Sequence, residues 1–201
     1  MAAGCGPLVD GSTGASPAGP SAGAGGAASL QLLAALPMGT WASMSGYTRE
    51  KFPLWNSQGG GCNTRDVVLK TDGQGVTATT DCKITRGTWY SLYDGKSFTN
   101  PQDLDIDHMV PLANAWRTGA KDWTDAKRSQ FANDLTHPQL LAVSASANRS
   151  KGDQDPSEWK PPRQAYWCVY AQRWVAVKDS WKLFVTTAEK AALQQMLDTC
   201  T

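Results

Sequence analysis

The stretch from Asp103 to Asp153 constrains this chain more than any other. It opens with Asp103-Leu104-Asp105-Ile106-Asp107-His108-Met109-Val110-Pro111-Leu112, in which Leu104 and Ile106 alternate with Asp105 and Asp107. A period of two puts the aliphatic pair on one face and the two carboxylates on the other, a short strand that Pro111 ends. It closes with Leu140-Leu141-Ala142-Val143, an apolar run short enough for a buried strand, followed by small residues and then Asn148-Arg149-Ser150-Lys151, read as a first helical turn. Strand, connection, strand and helix make a ββα unit, which would gather Asp107, His108 and Asn148 at one place. The fold class expected is α+β: one domain with this core, added hairpin strands and packing helices.

Asp107-His108-x-x-Pro111-Leu112, followed by Leu140-x-Ala142-Val143 and Asn148-x-Ser150-Lys151-Gly152-Asp153, resembles the HNH (ββα-metal) endonucleases. The pattern is most similar to the secreted actinobacterial branch related to the C-terminal domain of GmrSD-type restriction enzymes. The likeness extends to Gly46-Tyr47-x-Arg49-x-x-Phe52-x-x-Trp55, to Cys62-x-Thr64-Arg65-Asp66, to Phe131-Ala132-Asn133-Asp134-Leu135 and to Pro156-x-x-Trp159. It covers roughly residues 29–200.

The resemblance implies a nuclease site with defined roles. His108 is the expected general base, since a neutral imidazole can take a proton from water near neutral pH. Asp107 and Asn148 are the expected ligands of one hard divalent ion, Mg²⁺ or Mn²⁺, because carboxylate and amide oxygens suit these better than Zn²⁺. The products should then carry 5′ phosphates. Lys151 and Arg149 are expected to face substrate phosphate at a helix N-terminus, where backbone donors already favour anions. Arg65 is a phosphate contact or a clamp behind the site, with an ordinary arginine–carboxylate pair as its structural alternative. Many relatives carry Asn or His ahead of the second strand; Gln139 stands there in this chain and is expected, with Asp105, to support the site. Taken singly, Asp107-His108 is more often a turn or capping pair and Asn148 a helix cap; the spacing and flanking residues together favour chemistry.

Two hundred and one residues suffice for one domain with a real core. A net charge of +1 excludes a bulk polycation, so nucleic-acid binding would depend on a local cluster. Residues 1–28 hold eight Gly, eight Ala, three Pro and three Ser and read as a flexible tail, leaving 29–201 as the domain. Ala2-Ala3-Gly4-Cys5 is similar to the end of a bacterial lipobox, which makes Cys5 a candidate lipid anchor; a truncated linker with a stray cysteine is the alternative. Leu30–Met38 is too short to span a bilayer and reads as the first helix, stopped near Pro37.

Five cysteines leave one over from any two bridges. The pairings expected are Cys62–Cys82, closing a hairpin, and Cys168–Cys200, clamping the C-terminal segment, in an oxidising compartment. Val67-Val68-Leu69, Val76–Thr80 and Lys83–Thr85 read as strands, while Leu112–Thr118, Thr124–Leu135, Trp167–Trp181 and Glu189–Leu197 have helical spacing. Thr124 and Thr187 are the N-caps, and Lys127 and Arg128 are placed on an outer face. His137 before Pro138 reads as an exposed turn residue.

The function expected is an extracellular or cell-surface, monomeric, metal-dependent DNA endonuclease of low sequence specificity. RNA is the alternative substrate. A catalytically inactive module whose tryptophans contact a cell-wall polymer is the alternative of another class.

Overall fold

The structure, a computed structural model, describes Met1 and residues 22–200. Cys5, and with it the lipid-anchor expectation, lies outside the described residues. In chain order the elements are α1 (Ala22–Ala35), β1 (Ser57–Gly59), β2 (Cys62–Asn63), α2 (Thr64–Asp72), β3 (Gln74–Ala78), β4 (Ile84–Tyr90), β5 (Ser97–Phe98) and β6 (Leu104–His108). Then come α3 (Leu112–Arg117), α4 (Asp125–Ala132), β7 (Leu140–Ser144), α5 (Ala145–Lys151), α6 (Trp167–Ser180) and α7 (Thr187–Leu197). The mixture is α+β, with three small antiparallel sheets: β1–β2, β3–β4–β5 and β6–β7.

The ββα unit forms where the sequence placed it. β6 and β7 pair antiparallel from Leu104 opposite Ser144 to His108 opposite Leu140. Ser144 closes β7 and at once caps α5, its side chain accepting from the Ala147 amide at 3.2 Å. Leu104, Ile106 and Ala142 pack with Val68, Leu69, Ile84 and Trp89 on one side of this pair. Asp105 and Asp107 face α5.

A larger core surrounds α6. Tyr170, Trp174, Val175 and Val177 are fully buried there, together with Leu33 of α1 and Leu193 and Met196 of α7. Each buried side chain of this kind contributes about 1.5–3 kcal/mol, and their number allows several buried polar groups to be carried. Helix α1 crosses the second disulfide closely, since a Cβ on Gly26 would lie 2.7 Å from that of Cys200. Both expected bridges form, Cys62–Cys82 and Cys168–Cys200.

Several local expectations are corrected. Val67–Leu69 belongs to α2, not to a strand. Asn63 accepts from the Asp66 amide at 3.1 Å while Asp66 accepts from the Asn63 amide at 3.0 Å, and this capping box outweighs the β-branched pair. Cys62 therefore precedes a helix, and its bridge ties that helix start to the β3–β4 turn instead of closing a hairpin. The first helix begins at Ala22, inside the stretch read as tail, because its alanines favour helix and it packs on α6 and α7. Arg128 is buried, donating to the carbonyls of Lys51 and Ala120, both at 3.1 Å, and pairing with Asp125. The cap of α7 is Thr186, not Thr187, in a box with Glu189.

Candidate active site

Strand β6 and helix α5 run alongside each other so that two pairs meet. Asn148, one turn into α5, donates its amide Nδ2 to Asp105 Oδ2 at 3.2 Å, and Lys151, three residues on, reaches Asp107 Oδ2 at 2.6 Å. Three helical residues rise about 4.5 Å and two strand residues about 6.6 Å, and the two side-chain contacts take up the difference. The two contacts fix the helix against the strand.

Asp107 is nearly fully buried, and its Oδ2 takes a hydrogen bond from Tyr93 as well as the Lys151 ammonium. Burial pushes its carboxyl above the usual range, opposed by Lys151 and Tyr93. Both contacts fall on Oδ2, so Oδ1 is the oxygen they leave. Asn148 is similar: a carboxylate can only accept, so Asp105 fixes the amide nitrogen and leaves the amide oxygen uncommitted.

His108 is buried, with Nε2 3.0 Å from the Ala132 carbonyl. A carbonyl only accepts, so Nε2 carries the hydrogen and Nδ1 keeps its lone pair. The pKa falls to about 4, through burial first, against the pull of the Ala132 bond and with help from the charges of Arg49 and Lys151. The imidazole is neutral at neutral pH. Trp55 lies across it, ring centres 6.3 Å apart and 28° between planes. Trp55 holds a left-handed backbone (φ 58°), and Asn133 fixes the flanking chain by bonds to the Asn56 amide (2.9 Å) and the Pro53 carbonyl (2.8 Å).

Asp107, His108 and Asn148 line one cleft of about 250 Å³, with Tyr47, Arg49, Arg149 and Asp153 on the same walls. The sequence brought the first three together correctly, and Arg149 stands exposed beside them, 3.5 Å from Asp105. Gln139 is fully buried and grips Val110 at both ends, Nε2 to the carbonyl at 2.9 Å and the amide to Oε1 at 3.1 Å. It holds the turn leaving β6.

Two phosphate assignments fail. Lys151 sits in the last turn of α5, not at its N-terminus. Its Nζ is inaccessible, spent on Asp107 and on the carbonyls of His108 (2.8 Å) and Met109 (2.9 Å). Arg65 lies outside the cleft and donates to the carbonyls of Pro101 and Leu104, both at 2.9 Å, bracing the entry to β6. The arginine–carboxylate pair offered as its structural alternative is not formed among the described residues. His137 is bonded to Asp134 at 2.8 Å in its turn, away from His108's cleft. Tyr93, Trp55, Arg49 and Tyr47 were given no role from sequence, although the last three fall in the segment that carried the family likeness.

Among the described residues no three His, Cys, Asp or Glu side chains are grouped to cage a metal. Two oxygens, Asp107 Oδ1 and that of the Asn148 amide, could instead hold one. That hard, sparse set fits one Mg²⁺ or Mn²⁺ completed by water or phosphate oxygens.

A ββα unit with His, Asp and Asn on one cleft defines a nuclease-type hydrolase. The model of the GmrSD restriction endonucleases' C-terminal domain matches residues 64–196, and the chain belongs to that family. It is also 50% identical over 169 residues to an uncharacterized secreted protein of Arthroderma benhamiae, covering 84% of this chain and 83% of that protein. No solved structure matches the chain.

Proposed function

We propose that the chain is an extracytoplasmic, divalent-metal-dependent endonuclease that hydrolyses DNA phosphodiester bonds with little sequence specificity. The observation that carries this reading is the cleft shared by Asp107, His108 and Asn148, with the base held by a backbone carbonyl and both oxygen donors held from behind. His108 Nδ1 takes the proton of the attacking water, and the Ala132 carbonyl keeps the ring in the tautomer this needs. Asp107 and Asn148 would hold the ion, which supplies charge stabilisation at the phosphoryl group and the departing oxygen. Lys151 and Tyr93 keep Asp107 in one rotamer.

An extracytoplasmic setting is supported by two disulfides and by the name of the Arthroderma benhamiae relative. No helix among the described residues is long and apolar enough to cross a membrane.

The test is incubation of DNA and RNA of one sequence with Mg²⁺, with Mn²⁺ and with EDTA. DNA cleavage under metal and none under EDTA is the expected result. Preference for RNA would overturn the substrate and leave the reaction; no cleavage of either acid under any metal would overturn the activity.

A further inference from the structure

The charges around the cleft are almost all paired. Asp107 has Lys151 at 2.6 Å, Asp153 has Arg117 at 2.7 Å, and Asp105 has Asn148 at 3.2 Å with Arg149 at 3.5 Å. Arg49 is the exception. It is exposed, lines the same cleft as His108, and forms no ion pair among the described residues. Its charge nevertheless reaches the imidazole, where it disfavours protonation.

The backbone beneath Arg49 is fixed. It opens a 3₁₀ turn (Arg49–Lys51) whose end is sealed by the Phe52 amide on the Arg49 carbonyl at 3.0 Å. Phe52 is fully buried, and Tyr47 on the other side packs on Trp116 with ring centres 5.7 Å apart. Buried Arg128 holds the Lys51 carbonyl. The firm backbone confines the ordering cost of binding to the side chain itself.

An unpaired guanidinium on the wall of the His108 cleft can take an anion. A planar fork of donors suits the non-bridging oxygens of a phosphodiester. We propose that Arg49 binds a backbone phosphate of the nucleic-acid strand at the His108 end of the cleft, with Arg149 as the second, looser cation on the same walls. This replaces Lys151 in the role the sequence gave it, and it rests on the nuclease reading above. Arg49 raises the local concentration of substrate and sets its register on the base. It takes no proton itself.

The measurement is binding of a fluorescein-labelled DNA duplex in EDTA, followed by anisotropy across a potassium chloride series. His108→Ala protein is compared with the same protein carrying Arg49→Ala, Arg49→Lys or, as a remote exposed control, Arg86→Ala. Loss of one phosphate contact lowers the slope of log affinity against log salt by about 0.9. Arg49→Ala is expected to show that fall with roughly tenfold weaker binding at low salt and an unchanged melting temperature. Arg49→Lys should keep the slope, and Arg86→Ala should change neither quantity. In the His108-intact protein, Arg49→Ala should raise KM for cleavage more than it lowers kcat. Arg49→Ala that binds and cuts with the wild-type salt dependence overturns this inference alone, because cleavage then still stands. A wild type that neither binds nor cuts overturns the nuclease reading with it.

Discussion

Lys151 Nζ lies 2.6 Å from Asp107 Oδ2, with the ammonium fully buried and the carboxylate nearly so. The ammonium also sits 5.7–6.0 Å from the ring centres of Tyr93, Tyr170 and Trp174, an aromatic box that favours a cation. The pair is therefore an internal brace under the cleft. Removing one member of a buried pair strands the other charge, at a cost of about 3–5 kcal/mol. Lys151→Met should lower stability by that amount in urea denaturation and abolish cleavage with it. A lysine that merely touched substrate would leave the denaturation midpoint unmoved.

Gln139 makes a smaller but similar prediction. It satisfies both backbone groups of Val110 in a buried turn. Gln139→Ala leaves that N–H and C=O unpartnered, at about 1–3 kcal/mol each before any relaxation. The expected result is a loss of roughly 2–4 kcal/mol in denaturation and faster hydrogen exchange at the Val110 amide. Unchanged exchange there would contradict the supporting role.

The contrast between these residues shows what sequence could and could not reveal. Leu104–His108 and Leu140–Val143 declare themselves because strand period, Pro111 and short length are local. Asp107, His108 and Asn148 follow once the two strands pair. Gln139 was placed by its position before β7. Lys151 was misplaced because its surroundings come from Tyr93, Tyr170 and Trp174, none near it in the chain. Arg149, two residues earlier and about 200° round the helix, stays exposed. Val67–Leu69 misled through β-branched composition, although the Asn63–Asp66 spacing that makes α2 a helix was present to be read. Arg128 carries no local mark of burial; only the carbonyls that α4 meets decide it.

His108 gives a pH prediction for metal-free protein. Its folded pKa of about 4 lies below the unfolded value near 6.5, so the native state resists protonation. Stability from this group is full above the unfolded value and is lost as pH falls from about 6.5 towards 4, where the unfolded chain binds the extra proton. The whole shift is worth roughly 3 kcal/mol. In EDTA, wild type should lose more stability between pH 7 and pH 4.5 than His108→Gln does. Parallel pH profiles would contradict the buried, neutral imidazole.

The Cys168–Cys200 bridge holds the end of α7 to the start of α6 and lies against Gly26 of α1. Replacing both cysteines by alanine should cost about 2–4 kcal/mol, read as a lower melting temperature. Cleavage at 25 °C should persist, because the cleft lies on β6 and α5. Loss of activity in a protein that remains folded would mean that the C-terminal helices contribute directly to the site.

The central claim is that His108 is the base of a metal-dependent nuclease. The most direct measurement is nicking of supercoiled plasmid with Mg²⁺ or Mn²⁺ by wild type and by His108→Ala, with folding of both checked by circular dichroism. The account predicts conversion to open-circular and linear forms by wild type, stopped by EDTA, and a loss of at least about a hundredfold in the variant. Undiminished, metal-dependent nicking by a folded His108→Ala protein would contradict it.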